Sequence, residues 1–262
     1  MISETDDKIL EAFYQELRKA DERLLLLDYD GTLAPFTVDR DRAFPYEGVV
    51  PKLSALNKLE RCRVVVISGR SLSSLSRLLD PELVSEIWAG HGWERLTSDG
   101  RVMLPDIEGK GTEALDELQR LLVTAKLYDR YERKPASLAI HFRGIDGDPA
   151  AADMAIVMKE AFPVAEAGGL KVVRFEEGVE FMIPGNDKGT AVKAVLSETG
   201  ANTAIAYLGD DFTDEDAFEA LAGRGLRVLV RTENRPSAAD IWLRPPEELL
   251  MFLDRWSIAC KE

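Results

Sequence analysis

Short apolar runs alternate with amphipathic stretches along much of the chain. The runs predicted as buried strands are Leu24–Leu27, Arg63–Ile67, Ile87–Ala89, Ala204–Leu208 and Leu226–Val230. Apolar residues at helical spacing predict the helices Pro51–Leu59, Ser71–Leu79, Thr190–Ser197 and Asp214–Leu221. Continuous apolar strands that alternate with helices are typical of a parallel sheet covered by helices on both faces. The pattern therefore predicts an α/β core, in which ligands bind beyond the carboxyl ends of the strands.

The middle of the chain follows a different pattern, in which predicted strands come in pairs. After a strand that begins near Arg101, the predicted elements are helix Gly111–Lys126, strands Tyr128–Lys134 and Ser137–Arg143, helix Ala150–Ala161, and strands Lys171–Phe175 and Val179–Ile183. The turn signal Glu176-Glu177-Gly178 separates the last two strands. This pattern predicts an inserted α+β domain over residues 101–184 and a core formed by residues 1–100 and 185–262.

The inserted strands have one apolar and one polar face, because alternate residues of a strand share a face. Apolar residues predicted to pack on the helices of the insertion are Leu138, Ile140, Phe142, Val179, Phe181 and Ile183. The opposite face carries Ser137, Ala139, His141, Arg143, Glu180 and Met182. This polar face fits two interpretations, a half-exposed sheet with polar residues in water or a surface that binds a ligand.

Composition and charge narrow the range of partners. Hydrophobic residues make up 45% and charged residues 31% of 262 residues, as in a soluble globular protein. The net charge of −14 disfavours nucleic acid or an anionic membrane as a partner. The amphipathic start lacks the pattern of a signal peptide, and Cys62 and Cys260 lack metal-site spacing and fit a reducing compartment. We therefore expect a cytoplasmic protein.

Two aspartates follow the first apolar run, in the sequence Leu-Leu-Leu-Leu-Asp28-Tyr29-Asp30-Gly31-Thr32. A strand closed by an Asp-Gly turn explains Asp30 and Gly31, but it does not explain Asp28. Two close carboxylates repel each other unless a cation or a shared proton lies between them. The pair therefore indicates chemistry beyond a turn.

A second acidic group follows the predicted strand Ala204–Leu208. Five acids stand within residues 210–216, among them Asp210, Asp211 and Asp214. Acids at a helix N-terminus can be explained by the helix dipole alone. Their number directly after a buried strand favours a metal site, and carboxylate oxygens suit Mg²⁺.

Ser68 and Lys188 stand at other junctions of predicted strands and helices. Ser68 either caps a helix or, with neighbouring backbone amides such as that of Gly69, binds a phosphate. Lys188 precedes a predicted helix, where the dipole disfavours a cation. It is therefore either a plain surface lysine or a residue that faces a phosphate.

The order of these motifs resembles the haloacid-dehalogenase-like phosphatases. The resemblance implies a Rossmann-like core and an aspartyl-phosphate mechanism, in which Asp28 attacks phosphorus and Asp30 transfers protons. It implies that Mg²⁺ is held by Asp28, the Asp30 carbonyl and Asp210, with Asp211 and Asp214 in or near its coordination shell. Ser68 and Lys188 are the remaining catalytic residues that it implies. The residues implied to bind the phosphate are Gly31, Thr32, Ser68, Gly69 and Lys188.

A narrower resemblance covers most of the chain, from about Leu24 to Asp216. The pattern Glu-x-Lys-x-x-Ser-x-x-x-His-x-Arg from Glu132 to Arg143, with DYDGTL, ISGR, HGWE and GDDFTDE, is similar to the trehalose-6-phosphate phosphatases. The resemblance implies that the insertion is a type 2 cap. Residues implied to bind the sugar are Glu132, Lys134, Ser137, His141, Arg143 and Glu180 from the cap, with Arg70 and His91 from the core. A purely structural role for His91 stays open.

This resemblance implies a Mg²⁺-dependent phosphatase that releases trehalose and phosphate from trehalose 6-phosphate, and we expect a monomer that binds a small molecule. One alternative is a phosphatase for another sugar phosphate, such as a glycosyl-glycerate phosphate. A phosphoacceptor signalling module also combines acids, a Ser, a Lys and Mg²⁺, but the length, the insertion and the order of the acids oppose it. A non-catalytic sugar-phosphate sensor would be expected to lack Asp28 or Asp30, and both are present.

Overall fold

The structure is a computed structural model that describes residues 2–37, 39–104, 107–142, 150–175 and 178–261. It divides into two compact units. The first, called the core unit here, comprises Met1–Met103 and Asp187–Glu262, and the second, called the inserted unit, comprises Leu104–Asn186. Within the described residues, no helix is both long enough and apolar enough to cross a membrane.

Strands and helices alternate through most of the core unit. The strands of the chain are β1 Glu22–Leu27, β2 Cys62–Ile67, β3 Glu86–Ala89, β4 Glu94–Leu96, β5 Val102–Met103, β6 Tyr131–Lys134, β7 Ser137–His141, β8 Lys171–Phe175, β9 Gly178–Met182, β10 Thr203–Gly209, β11 Leu226–Val230 and β12 Ile241–Leu243. The α-helices are α1 Glu4–Lys19, α2 Val49–Leu56, α3 Leu72–Leu75, α4 Lys110–Thr124, α5 Ala150–Ala167, α6 Lys188–Ser197, α7 Glu215–Leu221 and α8 Glu247–Ala259.

The core unit is built on one sheet in the order β12-β11-β10-β1-β2-β3-β4-β5. Strands β12 to β3 are parallel, and β4 and β5 are antiparallel additions at one edge. Strand β1 explains why four leucines occur in a row: Leu25 and Leu27 pack on one face of the sheet and Leu24 and Leu26 on the other. Helices α1, α2 and α8 cover the first face, and α6 and α7 cover the second. The predicted parallel α/β core is confirmed.

Helix α3 is shorter than the predicted helix Ser71–Leu79, because it spans only Leu72–Leu75. Serines are frequent in this segment, and serine side chains compete for backbone hydrogen bonds. Ser71 caps the helix through Ser74 N, and the Ser76 hydroxyl donates to the carbonyl of Leu72. The segment therefore forms one helical turn followed by a looser turn.

The inserted unit contains an antiparallel sheet in the order β6-β7-β9-β8. Helices α4 and α5 pack on one face of it and form a separate hydrophobic core with Leu138, Ile140, Val179 and Phe181. Phe142 and Ile183 are partly buried against the same core. The predicted apolar face is therefore confirmed. Arg143, and Glu176 and Glu177 of the predicted turn, lie outside the described residues.

Candidate functional site

Three polar residues lie at one edge of the core sheet, each directly after a parallel strand. Asp28 follows β1, Ser68 follows β2 and Asp210 follows β10, and these three strands are neighbours. The register pairs Leu27 with Leu208 on one side and with Val66 on the other. The amide of Asp28 donates to the Leu208 carbonyl at 2.8 Å, so the strand pairing continues into the site.

Lys188, the first residue of α6, extends into the same edge. Its Nζ lies 2.7 Å from Asp28 Oδ1 and 2.7 Å from Asp214 Oδ1, and the side chain is buried. Burial alone would lower the pKa of Lys188, but the carboxylates of Asp214 and Asp28 outweigh it and raise that pKa above its ordinary value. A lysine held in this way is a fixed positive charge, and the surface-lysine interpretation is wrong.

Asp214 is fully buried, and both of its carboxylate oxygens accept hydrogen bonds. Oδ1 accepts from Lys188 and from the hydroxyl of Tyr207. Oδ2 accepts from the backbone amides of Asp210 and Asp211 at 3.1 and 3.0 Å. Because four protein donors surround this carboxylate, Asp214 fixes the position of Lys188 and of the turn after β10.

Asp210 has the opposite environment. Both of its carboxylate oxygens are buried, and neither has a hydrogen-bond partner among the described residues. Buried polar atoms without partners are rare and indicate a missing ligand, such as a water or an ion.

Asp28, Asp210 and Asp214 each offer an oxygen, and these atoms lie within 4.8 Å of one another. Burial raises the pKa of Asp28 to about 7, with Lys188 opposing the shift, and burial with Asp28 and Asp214 raises the pKa of Asp210. One lysine cannot neutralise three carboxylates. The hard oxygen donors and the bare oxygens of Asp210 therefore fit a divalent cation such as Mg²⁺.

Asp211 follows Asp210 in the sequence, but its side chain has a different environment from the three converging carboxylates. Its side chain accepts from the backbone amide of Phe212 and caps the short 3₁₀-helix Phe212–Asp214. It is not among the three carboxylates that converge. The structure therefore accounts for Asp211 as a helix cap, and its role as a metal ligand stays a prediction.

The carboxylate of Asp30 forms a bidentate ion pair with Arg70. Arg70 Nε lies 2.6 Å from Asp30 Oδ2, and Arg70 Nη2 lies 2.6 Å from Asp30 Oδ1. The guanidinium is buried, whereas the Asp30 side chain is 28% exposed. Arg70 thus contacts a predicted catalytic residue directly.

The loop after β1 brings Gly31 and Thr32 to the site. Gly31 has a φ of +82°, and a Cβ at this position would overlap the Asp210 carboxylate. The two amides predicted to bind phosphate donate within the loop, from Gly31 to the Ala34 carbonyl and from Thr32 to the Tyr29 carbonyl. The Thr32 hydroxyl is buried, and no residue in the described part of the chain forms a hydrogen bond with it. This hydroxyl can therefore donate a hydrogen bond to a ligand without breaking one within the described residues.

Ser68 and His91 are linked through the backbone. The His91 amide donates to the Ser68 carbonyl at 2.9 Å, and Ser68 Oγ accepts from the Arg70 amide at 3.2 Å. Ser71, not Ser68, caps α3, so the helix-cap interpretation of Ser68 is wrong. His91 has a left-handed φ of 59°, and its ring fills the space beside Gly69, where a Cβ would lie 2.6 Å from the ring. The role of His91 stays a prediction.

Two residues of the site were missed in the sequence. Tyr207 donates to Asp214 from within β10. Arg235 donates to the backbone carbonyls of Asp210 and Asp211 and pairs with Glu215 at 2.6 Å. Tyr207 lies two residues before the motif GDDFTDE that carries the acids, which is a weak signal. Nothing in the spacing connects Arg235 with a loop more than twenty positions earlier.

The inserted unit holds its own polar group on the face opposite its helices. Glu180 Oε1 accepts from Lys134 Nζ at 2.8 Å and from the Ser137 hydroxyl, and all three side chains are buried. The register pairs Ala139 with both Glu132 and Glu180, which places these two acids on one face. His141 ends β7, and Arg143 lies outside the described residues. Their contacts with a sugar stay a prediction.

Comparisons with known proteins agree with one another. The family model described as trehalose-phosphatase matches residues 26–245. A trehalose-phosphate phosphatase of Mycobacterium marinum is 29% identical over 88% of this chain, and a probable trehalose-phosphate phosphatase H of Arabidopsis thaliana is 28% identical over 91%. This chain spans 60% of the first relative and 73% of the second. The C-terminal domain of a C. albicans trehalose-6-phosphate phosphatase has the same fold, with a TM-score of 0.77 at 21% identity and 96% coverage of each chain.

Proposed function

Because the chain belongs to the trehalose-phosphatase family, we propose that it hydrolyses trehalose 6-phosphate to trehalose and phosphate. The observation that carries this proposal is the buried group of Asp28, Asp210 and Lys188 at the carboxyl edge of the sheet. A lone carboxylate pair would repel a phosphate. The positive charge of Lys188, together with a cation held by Asp210, would offset that repulsion.

In the first step, the carboxylate of Asp28 attacks phosphorus. A bond forms between an Asp28 oxygen and phosphorus, the bond between phosphorus and the sugar oxygen breaks, and Asp30 gives its proton to the departing sugar oxygen. Lys188 holds Asp28 in place through Oδ1 and offers positive charge to the phosphoryl oxygens. Trehalose leaves, and the phosphoryl group stays on Asp28.

In the second step, Asp30 takes a proton from water, and the water oxygen attacks phosphorus. The bond between phosphorus and Asp28 breaks, and phosphate leaves. Splitting the hydrolysis in this way replaces one difficult displacement by two easier ones. The hydroxyls of Thr32 and Ser68 and the ammonium of Lys188 hold the phosphoryl oxygens in both steps.

Asp28, the Asp30 carbonyl and Asp210 would hold Mg²⁺. When bound, the ion supplies positive charge that offsets the repulsion between the carboxylates and the phosphate. Asp214 contributes indirectly, since its two oxygens are already engaged by Lys188, Tyr207 and backbone amides. The proposed role of Asp214 is to keep Lys188 in position.

The inserted unit is proposed to select the substrate as a cap. Its polar face offers carboxylate, ammonium, hydroxyl and imidazole groups, from Glu132, Lys134, Ser137, His141 and Glu180. The sequence predicts that Arg143 adds a guanidinium. Sugars present many hydroxyls that both donate and accept, and a mixed set of donors and acceptors matches them. A cytoplasmic location is proposed as well, because a chain with only two cysteines has no disulfide framework of the kind found in secreted domains.

Phosphate release from a panel of sugar phosphates in the presence of Mg²⁺ tests the proposal. We expect the highest kcat/KM for trehalose 6-phosphate. Equal or better turnover of a glycosyl-glycerate phosphate would overturn the substrate assignment and keep the phosphatase assignment. The variant Asp28→Asn should lose turnover and still bind substrate, whereas the exposed-residue variant Asp129→Asn should be unaffected. Absence of turnover for the whole panel in the parent enzyme would overturn the phosphatase assignment.

A further inference from the structure

Arg70 contacts Asp30 through two short hydrogen bonds. Both oxygens of the Asp30 carboxylate lie 2.6 Å from guanidinium nitrogens, one from Nε and one from Nη2. A guanidinium is planar and rigid, so a bidentate pair fixes the plane of the carboxylate as well as its distance. An isolated carboxylate that is 28% exposed would otherwise rotate freely.

Arg70 is itself held in place through both its side chain and its backbone. Arg70 Nη1 lies 3.4 Å from the hydroxyl of Ser74, and the Arg70 side chain is only 2% exposed. The Arg70 amide donates to Ser68 Oγ at 3.2 Å, and its carbonyl accepts from the Gly90 amide at 2.6 Å. Arg70 therefore connects the ends of β2 and β3 to Asp30, which lies in the loop after β1.

We propose that Arg70 is a positioning residue that orients the Asp30 carboxylate for proton transfer, rather than a residue whose main work is to bind the sugar. This inference rests on the proposed phosphatase function and refines it. Proton transfer needs the donor oxygen within hydrogen-bond reach of the departing oxygen. A carboxylate that is held by one guanidinium edge meets this need at each turnover, in both steps of the reaction.

A double-mutant cycle tests whether Arg70 affects catalysis through Asp30. Arg70→Gln is expected to lower kcat for trehalose 6-phosphate by about 10²-fold, within the range that general acid–base catalysis contributes, with KM changed less than about threefold. In an Asp30→Asn background, Arg70→Gln should lower kcat by less than about twofold, because residues that act as a unit are not additive. A full additive loss, or a loss confined to KM, would show that Arg70 acts on the substrate and would overturn the proposal.

Pre-steady-state kinetics with p-nitrophenyl phosphate give a second readout. The aryl leaving group departs without a proton donor, whereas the attack of water still needs Asp30 as base. Arg70→Gln is therefore expected to release a burst of one p-nitrophenol per enzyme, followed by slow turnover. A uniform slowing without a burst would contradict the positioning role, since a merely distorted or weakly binding site has no reason to stop after the first step.

Matched variants separate positioning from stability. Arg77→Gln removes an arginine from the next turn of the same segment, where the side chain is 69% exposed and pairs with Asp41, and it should leave kcat and KM unchanged. Arg70→Lys keeps the charge without the bidentate fork and should recover only part of the lost kcat. Full recovery by lysine would overturn the claim that the fork geometry matters.

If Arg70→Gln does not fold, Ser74→Ala is the variant that keeps the proposal testable. It removes the hydroxyl 3.4 Å from Nη1, so that the guanidinium is held less firmly, but it keeps the arginine that pairs with Asp30. We expect a smaller drop in kcat, an unchanged KM and a partial burst, and an unchanged kcat would count against the proposal. These outcomes are distinct from failure of the proposed function, in which the parent enzyme itself would not turn over any phosphate ester.

Discussion

At the scale of single residues, two aspartates four positions apart have opposite environments. Asp214 accepts hydrogen bonds on both oxygens, and Asp210 accepts none among the described residues although both oxygens are buried. A buried carboxylate without a partner destabilises the folded protein by roughly several kcal/mol, unless a bound cation compensates for its charge. The difference assigns Asp214 to the scaffold and makes Asp210 the better candidate for a metal ligand.

This assignment predicts how Mg²⁺ affects thermal stability. Mg²⁺ at about 100 times its Kd should stabilise the protein by about 2.7 kcal/mol, measured as a rise in Tm over the EDTA-treated protein. Asp210→Asn should remove most of that rise, because it removes the only carboxylate of the group with both oxygens free of hydrogen bonds among the described residues. Asp211→Asn is the matched control and should keep it. Loss of the rise in Asp211→Asn instead would support the predicted ligand role of Asp211.

A second prediction at the scale of single residues concerns Gly31. Gly31→Ala should destabilise the protein and abolish phosphatase activity, because the new Cβ would overlap the Asp210 carboxylate. Gly100→Ala is the matched control, since its φ of +79° is close to the +82° of Gly31 but nothing lies within 4 Å of the new Cβ. It should cost only the backbone strain, about 1–2 kcal/mol, with activity kept. Melting curves and phosphate release measure both, and equal effects would show that the overlap is unimportant.

Single residues could be predicted from the sequence where the motif itself carries them. Asp28, Asp210 and Lys188 follow or precede predicted elements, and parallel strands bring such positions to one edge. The pair of Asp30 with Arg70 and the contacts of Arg235 with backbone carbonyls could not be predicted, because they join residues that lie 40 and about 25 positions apart. Spacing along a chain says nothing about which way such side chains turn.

At the scale of elements, an ion pair joins β11 to the start of the edge strand β12. Arg227 of β11 donates to Asp240, the residue before β12, from its amide at 2.9 Å and from its guanidinium at 3.0 and 2.5 Å. Burial would raise the pKa of Asp240, but the hydrogen bonds from Arg227 outweigh it and lower that pKa below its ordinary value. The pair therefore favours the ionised carboxylate in the folded protein.

The sign of the pH dependence follows from this shift. A carboxyl group with a lowered folded-state pKa stabilises the fold above its unfolded-state pKa, and this contribution is lost as pH falls through the folded-state pKa. Asp240→Asn should thus lower the free energy of unfolding by about 1 kcal/mol at pH 7. The difference from the parent should shrink as pH falls below about 4. Urea unfolding at several pH values measures it, and a constant difference would contradict the ion-pair explanation.

The elements that could be predicted are those with long or continuous apolar patterns. Strand β11 has the predicted bounds, and β1, β2, β3 and β10 differ from them by one or two residues. Strands β4 and β12 have three residues each, which is too short for a period to be visible, whereas the strand predicted near Arg101 corresponds to β5. Helix α8 was missed although Leu249, Phe252, Leu253 and Trp256 are buried at helical spacing, so that signal was present.

At the scale of the whole molecule, chemistry and selection are proposed to belong to different units. The buried acids and Lys188 belong to the core unit, and Glu180 with Lys134 and Ser137 belongs to the inserted unit. Each unit has its own hydrophobic core. A change in the inserted unit should therefore alter which phosphate ester is preferred without altering the hydrolysis itself.

Glu180→Gln tests this division of work. We expect kcat/KM for trehalose 6-phosphate to fall by at least about 10-fold, because a site built to hydrogen-bond sugar hydroxyls loses an acceptor. Turnover of p-nitrophenyl phosphate, which has no sugar, should stay within about twofold. Glu160→Gln, on the exposed side of α5, is the matched control. A parallel loss for both substrates would place Glu180 in the fold rather than in recognition, and circular dichroism would then report the damage.

The position of β1 also determines how the site is lost when the protein opens. Asp28 extends a strand whose side chains enter both hydrophobic clusters of the core, and its amide is bonded to the Leu208 carbonyl. Local openings at β5 or β12, the two edges of the sheet, leave this central strand paired. The amide of Asp28 should then exchange with solvent only through unfolding of the whole core. Asp28, the proposed nucleophile, therefore belongs to the slowest-exchanging part of the protein, and its geometry persists through the small fluctuations that reach the edges.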